Sequence, residues 1–464
     1  MRRILWITGA AAATLAVLVA QQTDFSGVIR GNGVLPALAV PDFRGDGQSQ
    51  AFMPAFNQTL WNDLDGAGIF KMVPKGSYPL SVPQQLSDFK AQPAQNQQRR
   101  GQNGPANGGG LSLADWSSPP AQANYVTVGY AAVQNSLFVL RGWLVDLSIP
   151  DPANAGALAK TYIEALDEGG ARKAAHEFAS DILERFGSKS LFGSHIYFVR
   201  LTGNLKAPVR EIWSMDPDGK NQKQITHFNS LSDFPSISPD GGKIAFTSWV
   251  HGGPGIFVFS VDPVRDLRFY NQRGASVTAS PSFTPDGKQV VFVSSVAGCC
   301  GIFIANLDGS NVHAITTSRS NDAEPKVNPK TGSEIVFSSG RSGPEQLYRM
   351  NLDGTDAERL TDGTGEASNP SWHPEGQFLA YAWTRGYMAG AFNIFVMNVA
   401  RRDYIQLTHG EGKNENPSWA PDGKHIVFMS DRTGRPQIWS MLADGTQLQQ
   451  LTSEGSNLHP VWGK

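Results

Sequence analysis

A sequence unit recurs along the second half of the chain at a nearly constant spacing. The copies read FPSISPDGGKIAFTS, SPSFTPDGKQVVFVS, EPKVNPKTGSEIVFS, NPSWHPEGQFLAYAW and NPSWAPDGKHIVFMS, and a shorter copy, HPVWGK, ends the sequence. The prolines that they share are Pro235, Pro281, Pro325, Pro370, Pro417 and Pro460, at spacings of 46, 44, 45, 47 and 43 residues. This period is typical of the four-stranded blade of a β-propeller.

Each unit contains the parts of one blade. In the copy that begins at Asn416, Pro421 presets φ for a turn and Gly423 supplies the positive φ that closes a tight hairpin. HIVFMS follows as a strand that is apolar on both faces, as expected for a sheet stacked between neighbours. PQIWSM and QLQQLT predict the third and fourth strands. The second blade has a degenerate outer strand near Phe269, and the fourth blade has NPKTG as its turn.

The two ends of the repeat array predict a closed ring. The array begins at His195 with a second strand, and it finishes with an unpaired first strand at Pro460–Trp462. Pairing of this last strand with Ile196–Arg200 would complete a sixth blade and remove the exposed sheet edges. We therefore expect a six-bladed β-propeller over residues 191–464, closed by strands from both ends.

Residues 35–190 predict a small α/β domain. Apolar residues at helical spacing indicate one helix over Gln48–Leu64 and another from Glu168 to Phe186. LPALAVPDF, GIFKMVP and ALAKTYIEA indicate strands, and a hairpin is expected to turn at Gln134 and Asn135. The polar, Gly-rich segment 91–110 is predicted to be a disordered surface loop.

The first twenty residues predict export. Two arginines precede an apolar run from Ile4 to Ala20, which is the plan of a secretory signal peptide. Residues 21–34 would then form an N-terminal extension, and an uncleaved anchor is the alternative. We therefore expect the chain to be exported. The only cysteines, Cys299 and Cys300, are adjacent, so a disulfide between them would be strained.

Composition and motifs argue against several functional classes. A formal net charge of −2 gives no broad field for nucleic acid or a membrane surface, and 49 glycines with 29 prolines favour a turn-rich fold. The sequence has no G-x-S-x-G, H-E-x-x-H or phosphate-binding loop motif, and its D-G pairs read as hairpin turns. We predict a non-enzyme without a cofactor or metal. His373 and His425 are expected at the surface or in the channel, and Trp372, Trp419 and Trp462 in the stacked core.

The residue before each shared proline is the candidate binding position. First strands line the channel of a propeller, so these residues are expected to recur around one mouth of the ring. They are Phe234, Ser280, Glu324, Asn369, Asn416 and His459. Their variety suggests a site for a peptide or protein, with Phe234 as an apolar anchor and Glu324 as a charge partner; a water-filled channel without a ligand is the alternative.

The leader, the α/β domain and the six P-x-W-x-P-D-G-K…I-x-F-x-S…I-W-S-M…L-T units resemble the TolB family of the periplasmic Tol–Pal system. The resemblance implies a non-catalytic adaptor that binds a peptidoglycan-associated lipoprotein, Pal, at the propeller mouth. It also implies roles in outer-membrane integrity, cell division and protein import. A TolA-type periplasmic domain would pair with residues 21–33 through Phe25, Val28 and Ile29. The alternative is a generic exported propeller that binds another envelope peptide or glycan.

Overall fold

The computed structural model describes residues 34–90, 111–204, 207–261, 265–270, 275–296, 298, 300–316 and 320–464. These residues form two compact units, which divide between Phe192 and Gly193. The predictions for the signal peptide, for residues 21–33, for segment 91–110 and for Cys299 lie outside the described residues. Within the described part, none of the helices combines the length and apolar character needed to cross a bilayer.

The first unit is a mixed sheet packed against helices. Its strands are β1 (Ala37–Ala39), β2 (Arg44–Gly45), β3 (Lys71–Met72), β4 (Tyr125–Gln134), β5 (Leu137–Asp146) and β6 (Gly156–Ala165). They are ordered β3-β1-β4-β5-β6, and β2 also pairs with β4. The short strands pair in parallel, whereas β4, β5 and β6 are antiparallel. The predicted hairpin is present, but it turns at Asn135 and Ser136, one residue later than expected, because Gln134 still pairs with Leu137. Asn135 and Ser136 have φ of 51° and 60°, the left-handed conformation that such turns require.

Three α-helices accompany this sheet: α1 (Met53–Gly66), α2 (Leu113–Ser117) and α3 (Glu168–Arg185). Short 3-10 turns occupy Gly47–Phe52, Lys75–Ser77 and Leu86–Asp88. The helix predicted over Gln48–Leu64 begins only at Met53, because Pro54 occupies the first turn, where its missing N–H is tolerated. Phe56 and Leu60 of α1 and Phe178 of α3 belong to one buried apolar cluster. A second cluster includes Val126 and Trp116.

The second unit is a six-bladed propeller, which confirms the predicted fold. Each blade is a four-stranded sheet. Blade 1 contains β30 (Ser456–Gly463), β7 (His195–Asn204), β8 (Ala207–Met215) and β9 (Lys223–Gln224), and blade 2 contains β10 (Ser232–Ile237), β11 (Lys243–Ser248), β12 (Gly255–Ser260) and β13 (Arg265–Tyr270). Blade 3 contains β14 (Thr278–Phe283), β15 (Gln289–Ser294), β16 (Gly301–Asn306) and β17 (His313–Ala314), and blade 4 contains β18 (Asp322–Val327), β19 (Glu334–Ser339), β20 (Gln346–Asn351) and β21 (Glu358–Arg359). Blade 5 contains β22 (Ala367–Trp372), β23 (Phe378–Trp383), β24 (Asn393–Asn398) and β25 (Tyr404–Gln406), and blade 6 contains β26 (Asn414–Trp419), β27 (His425–Ser430), β28 (Gln437–Leu442) and β29 (Gln449–Gln450).

Strands from both ends of this unit close the ring. β30 pairs antiparallel with β7, with Trp462 opposite Ile196 and Asn457 opposite Arg200. The outer strand of blade 2, which looks degenerate in the sequence, is a six-residue strand that pairs with β12. Backbone pairing needs no particular side chain, so a regular strand forms there although its side-chain pattern is poor.

The threonine of the L-T or I-T pair recurs in five of the six blades, and it holds the outer strand to the third strand. In blade 6, Ile438 N–H donates to Thr452 Oγ1 at 2.9 Å, and the Thr452 hydroxyl donates to Gln437 Oε1 at 2.6 Å. The same backbone bond to a threonine hydroxyl forms in blades 1, 3, 4 and 5. This buried bond gives the recurring threonine a structural role.

The P-D-G turns are fixed by their own aspartates. Asp286 Oδ1 accepts hydrogen bonds from Thr284 Oγ1 at 2.6 Å and from Lys288 N at 3.1 Å. The Thr284 bond is the main reason that the pKa of Asp286 lies below its ordinary value, followed by the backbone bond. Asp240 has the equivalent bonds and a lowered pKa for the same reasons. In these turns the carboxylates are occupied by hydrogen bonds within the turn itself.

Replacing Thr452 by valine tests the outer-strand bond. Thr452→Val keeps the shape of the side chain but leaves the buried Ile438 N–H without its acceptor. The free energy of unfolding of the propeller should fall by about 1–3 kcal/mol in urea titrations. Thr331→Val is the matched control, because Thr331 lies in an exposed turn. Equal stabilities of the two variants would contradict the structural role.

The turn aspartates predict a specific acid dependence. A carboxyl whose folded pKa is lowered stabilises the fold above its unfolded pKa, and this stability is lost as the pH falls through the folded pKa. The double variant Asp240→Asn/Asp286→Asn keeps an acceptor oxygen but cannot titrate. Between about pH 5 and pH 2 it should therefore lose less stability than the wild type. Thermal unfolding followed across this range measures the effect, and parallel pH profiles would refute it.

Candidate functional site

The innermost strands of the six blades enclose a cavity of about 240 Å³. The structure places all six residues predicted from the sequence around this cavity. They are Phe234, Ser280, Glu324, Asn369, Asn416 and His459. Each is half-buried, and one comes from each blade. Whether they bind a partner stays a prediction.

A shared backbone distortion positions these six side chains. In every innermost strand the pairing register shifts at this point, for example between Asp233 and Ser236 in blade 2. The residue before the proline has a positive φ in all six strands, from 45° at His459 to 54° at Glu324. None of the six is glycine, so each residue carries a steric cost in this left-handed conformation. Such bulges turn a side chain away from the regular alternation of the strand.

Hydrogen bonds link neighbouring blades at the mouth. Asn369 donates its backbone N–H to Glu324 Oε2 at 2.6 Å and its side-chain amide to Glu324 Oε1 at 2.5 Å. Asn416 N–H donates in turn to Asn369 Oδ1 at 3.3 Å. Ser280 N–H donates to Thr247 Oγ1 of the preceding blade at 3.0 Å. The position of each of these residues therefore depends on the blade beside it.

A buried charged group supports the opposite side of the mouth. Asp233 is 1% exposed and forms ion pairs with Arg210 and with His459 Nδ1. Burial alone would raise the pKa of Asp233, but His459 and Arg210 outweigh it and hold that pKa below its ordinary value. The ring of Phe234 stacks on His459 with centroids 4.8 Å apart. The aromatic ring at the mouth thus stacks on an imidazole that is itself held by Asp233.

A second set of polar positions lies two residues further along the innermost strands. Ser236, Ser371 and Ser418 each accept a backbone N–H from the next blade, at 3.4, 3.1 and 3.0 Å. Ser282 occupies the same position in blade 3. Blades 4 and 1 depart from the pattern, with Lys326 and Val461 respectively. All these residues line the cavity.

Two features of this site were missed in the sequence. Lys326 could have been identified by comparing the repeats, because it stands where four other blades have serine. It was missed because the candidate positions were limited to the residues before the prolines. Asp233 could not have been identified, since its partners Arg210 and His459 lie 23 and 226 residues away.

The expected place of His373 was wrong, whereas His425 is partly exposed. His373 is 7% exposed, and its Nε2 contacts Gly423 O at 3.0 Å. A Cβ at Gly423 would lie 2.6 Å from this nitrogen, so the glycine is required for packing as well as for its φ of 71°. His425 Nδ1 lies 2.6 Å from the carboxylate of Asp422. Neither residue is among those that line the cavity.

The predicted tryptophan core is present, although two of its members also face the cavity. Trp372, Trp419 and Trp462 are each 6–7% exposed. Trp372 Nε1 donates to Lys326 O at 3.0 Å, and Trp462 Nε1 donates to Ser194 Oγ at 3.0 Å. Trp372 and Trp462 also line the cavity. They contribute flat apolar surface next to its polar groups.

The lining of the cavity combines apolar surface with hydrogen-bonding and charged groups. Its described lining combines prolines, tryptophans and a phenylalanine with serine hydroxyls, two asparagines, Glu324, Lys326 and His459. Within the described ranges, no three His, Cys, Asp or Glu side chains are grouped as a metal site would need. Phe25, Val28 and Ile29, which were predicted to contact a second partner, lie outside the described residues, and that prediction is untested.

Comparisons with known proteins place this architecture in a family. A family model described as the TolB beta propeller domain matches residues 184–388 and 362–464. A protein TolB homolog from Chlorobaculum tepidum is 30% identical over 217 residues, which are 46% of this chain and 41% of that protein. A Tol-Pal system protein TolB from Roseobacter denitrificans is 29% identical over 246 residues, 52% of this chain and 49% of that protein.

The chain thus spans about half the length of the curated relatives that it matches. The crystal structure of TolB from Acinetobacter baumannii has the same fold, with a TM-score of 0.73 and 21% identity over 93% of this chain and 97% of that one. The family model covers more than half of the chain. The chain belongs to the TolB beta-propeller family.

Proposed function

We propose that this protein is a non-catalytic periplasmic adaptor of the Tol–Pal type, which binds a peptidoglycan-associated lipoprotein at the mouth of its propeller. In this role it would support outer-membrane integrity, cell division and protein import. The observation that carries the proposal is the cavity mouth, where six side chains of five different types occupy equivalent left-handed positions. Relatives named as Tol-Pal system proteins support the choice of system.

The composition of the mouth favours a protein ligand. Phe234 presents an aromatic ring that stacking on His459 already holds in place, so binding it costs little conformational entropy. Asn369, Asn416 and Glu324 provide polar groups around it. An ordered aromatic surrounded by polar groups is a common arrangement at the centre of protein interfaces.

The described residues of the cavity are not arranged as an acid–base or nucleophilic centre. Glu324 already accepts two hydrogen bonds from Asn369, and His459 is paired with Asp233. A serine nucleophile needs a nearby base to take its proton. Within the described lining His459 is the only imidazole, its Nδ1 contacts Asp233, and no serine of that lining is hydrogen-bonded to its other ring nitrogen. This arrangement supports binding without catalysis.

The second candidate is an exported propeller that binds another envelope peptide or glycan. Trp372 and Trp462 in the cavity favour this alternative, because aromatic faces also stack on sugar rings. The two readings differ in the molecule that the protein captures. The TolA-type contact of residues 21–33 is a separate prediction and does not affect this choice.

A capture experiment tests the adaptor function. The mature chain, Gln21–Lys464, is immobilised and exposed to envelope extract, and bound proteins are identified by mass spectrometry. The double variant Phe234→Ala/Glu324→Ala removes the aromatic anchor and the acceptor that orders Asn369. We expect the wild type to recover a peptidoglycan-associated lipoprotein and the double variant to recover at least tenfold less.

A matched control distinguishes loss of the site from loss of the fold. Tyr387→Ala/Glu375→Ala removes an aromatic and an acidic residue outside the cavity, and it should capture the lipoprotein as the wild type does. Thermal unfolding checks that all three proteins are folded. Equal capture by both double variants would move the site elsewhere, whereas a wild type that captures only another peptide or a glycan would favour the second candidate.

A further inference from the structure

Lys326 breaks the pattern of the innermost strands. Four other blades have serine at this position, and three of these serines accept a backbone N–H from the next blade. A lysine ammonium has no acceptor, so Lys326 cannot form this bond. Blade 4 therefore lacks this hydrogen bond to the next blade and has a positively charged side chain in the wall of the cavity instead. Of the described residues that line the cavity, Lys326 is the one lysine or arginine.

The ammonium of Lys326 has no hydrogen bond or ion pair with any described residue. Its nearest charged group is Glu324, whose two oxygens already accept hydrogen bonds from Asn369. Burial lowers the pKa of Lys326, and the attraction of Glu324 opposes this only in part. A half-buried charge without a partner is unfavourable, and an incoming anion that hydrogen-bonds to it would relieve the cost.

We propose that Lys326 binds the carboxylate of an aspartate or glutamate side chain that the protein partner inserts into the cavity. This proposal rests on the proposed function and names the chemistry that the partner must carry. Lys326 would thereby determine specificity, because a partner with a neutral side chain at that point would leave the ammonium unpaired.

The size and charge of the cavity restrict the ligand further. About 240 Å³ is below the ~300–1,000 Å³ that is usual for small-molecule sites, so it accommodates one or two side chains of a loop. A phosphate carries up to two negative charges and would be repelled more strongly by Glu324 than a single carboxylate. The asparagines and serines of the lining can donate hydrogen bonds to the second carboxylate oxygen.

The first test measures binding of the captured partner. Lys326→Met removes the charge and keeps the length, and Lys326→Ser restores the residue of the other blades. Lys330→Met is the control, since Lys330 is exposed and pairs with Glu375. We expect both variants at Lys326 to bind the partner at least tenfold more weakly than the wild type, with a smaller salt dependence, and the control to bind normally. Unchanged affinity in Lys326→Met would overturn the proposal while leaving the adaptor function intact.

The second test does not need the natural partner. Lysines of the mature chain are labelled by reductive ¹³C-methylation, and the Lys326 signal is identified by its absence from Lys326→Met. Millimolar Ac-Ala-Gly-Glu-Gly-Ala-NH₂ should shift this signal, whereas the peptide with Gln in place of Glu should not. Equal shifts with both peptides, or none with either, would refute the carboxylate site.

A third peptide separates the two sources of a carboxylate. Ac-Ala-Gly-Gly-Gly-Ala with a free C-terminal carboxylate has no acidic side chain, and we expect it to leave the Lys326 signal in place. A shift with this peptide alone would overturn the choice of a side-chain carboxylate. If envelope extract yields no lipoprotein with the wild type, the adaptor function fails, and the peptide comparison still decides the role of Lys326.

Discussion

Closure of the ring depends on one pairing, that of the last strand with the first strand of the repeat array. β30 and β7 are more than 250 residues apart in the sequence, and their pairing puts Asn457 opposite Arg200. The Nε of Arg200 donates to Asn457 Oδ1 at 2.9 Å, and its guanidinium lies 4.3 Å from the ring of Trp213. The same strand brings His459 to Asp233 and Phe234. The cavity is therefore complete only when β30 has paired with β7.

Similar contacts repeat inside other blades and show how the ring is stiffened. In blade 4, Arg341 donates to Asp322 Oδ1 at 2.8 Å and covers the rings of Phe337 and Tyr348. In blade 6, Arg432 donates to Asn414 Oδ1 at 2.9 Å and lies over Trp439. An arginine that joins the innermost strand to the aromatic side chains of the next strands fixes the inner strand within its blade. Since the mouth residues belong to these inner strands, they are ordered before any ligand arrives.

The sequence was sufficient to predict the architecture because a propeller repeats one local pattern. Prolines at 43–47 residue intervals, the P-D-G turns and the L-T ends define blades without any long-range information. Regularity along the chain also placed the six mouth residues at one cavity. The start of α1 was misplaced by five residues, because periodicity continues through the 3-10 turn that precedes Met53.

What could not be predicted depends on contacts between neighbouring blades whose residues lie far apart in the sequence. His373 packs against Gly423, fifty residues later, and nothing near either residue in the sequence indicates this contact. Asp233 is buried with Arg210 and His459, which a local pattern cannot reveal. Lys326 was visible as an exception in the alignment, yet its importance follows from the unpaired state of its ammonium, which only the three-dimensional arrangement defines.

The backbone strain at the mouth supports the proposal that these side chains bind a partner. A left-handed conformation costs a residue with a Cβ about 1–2 kcal/mol relative to the right-handed one, and glycine would remove that cost. The chain contains 49 glycines, and its described part has positive φ at many glycines and at nine other residues outside the mouth, but none of the six mouth positions is glycine. Hydrogen bonds such as those between Glu324 and Asn369 recover part of the cost, but Phe234 provides no such bond through its side chain. Because strain of this kind tends to collect at functional sites, its recurrence in all six inner strands adds support to the binding role proposed for the mouth.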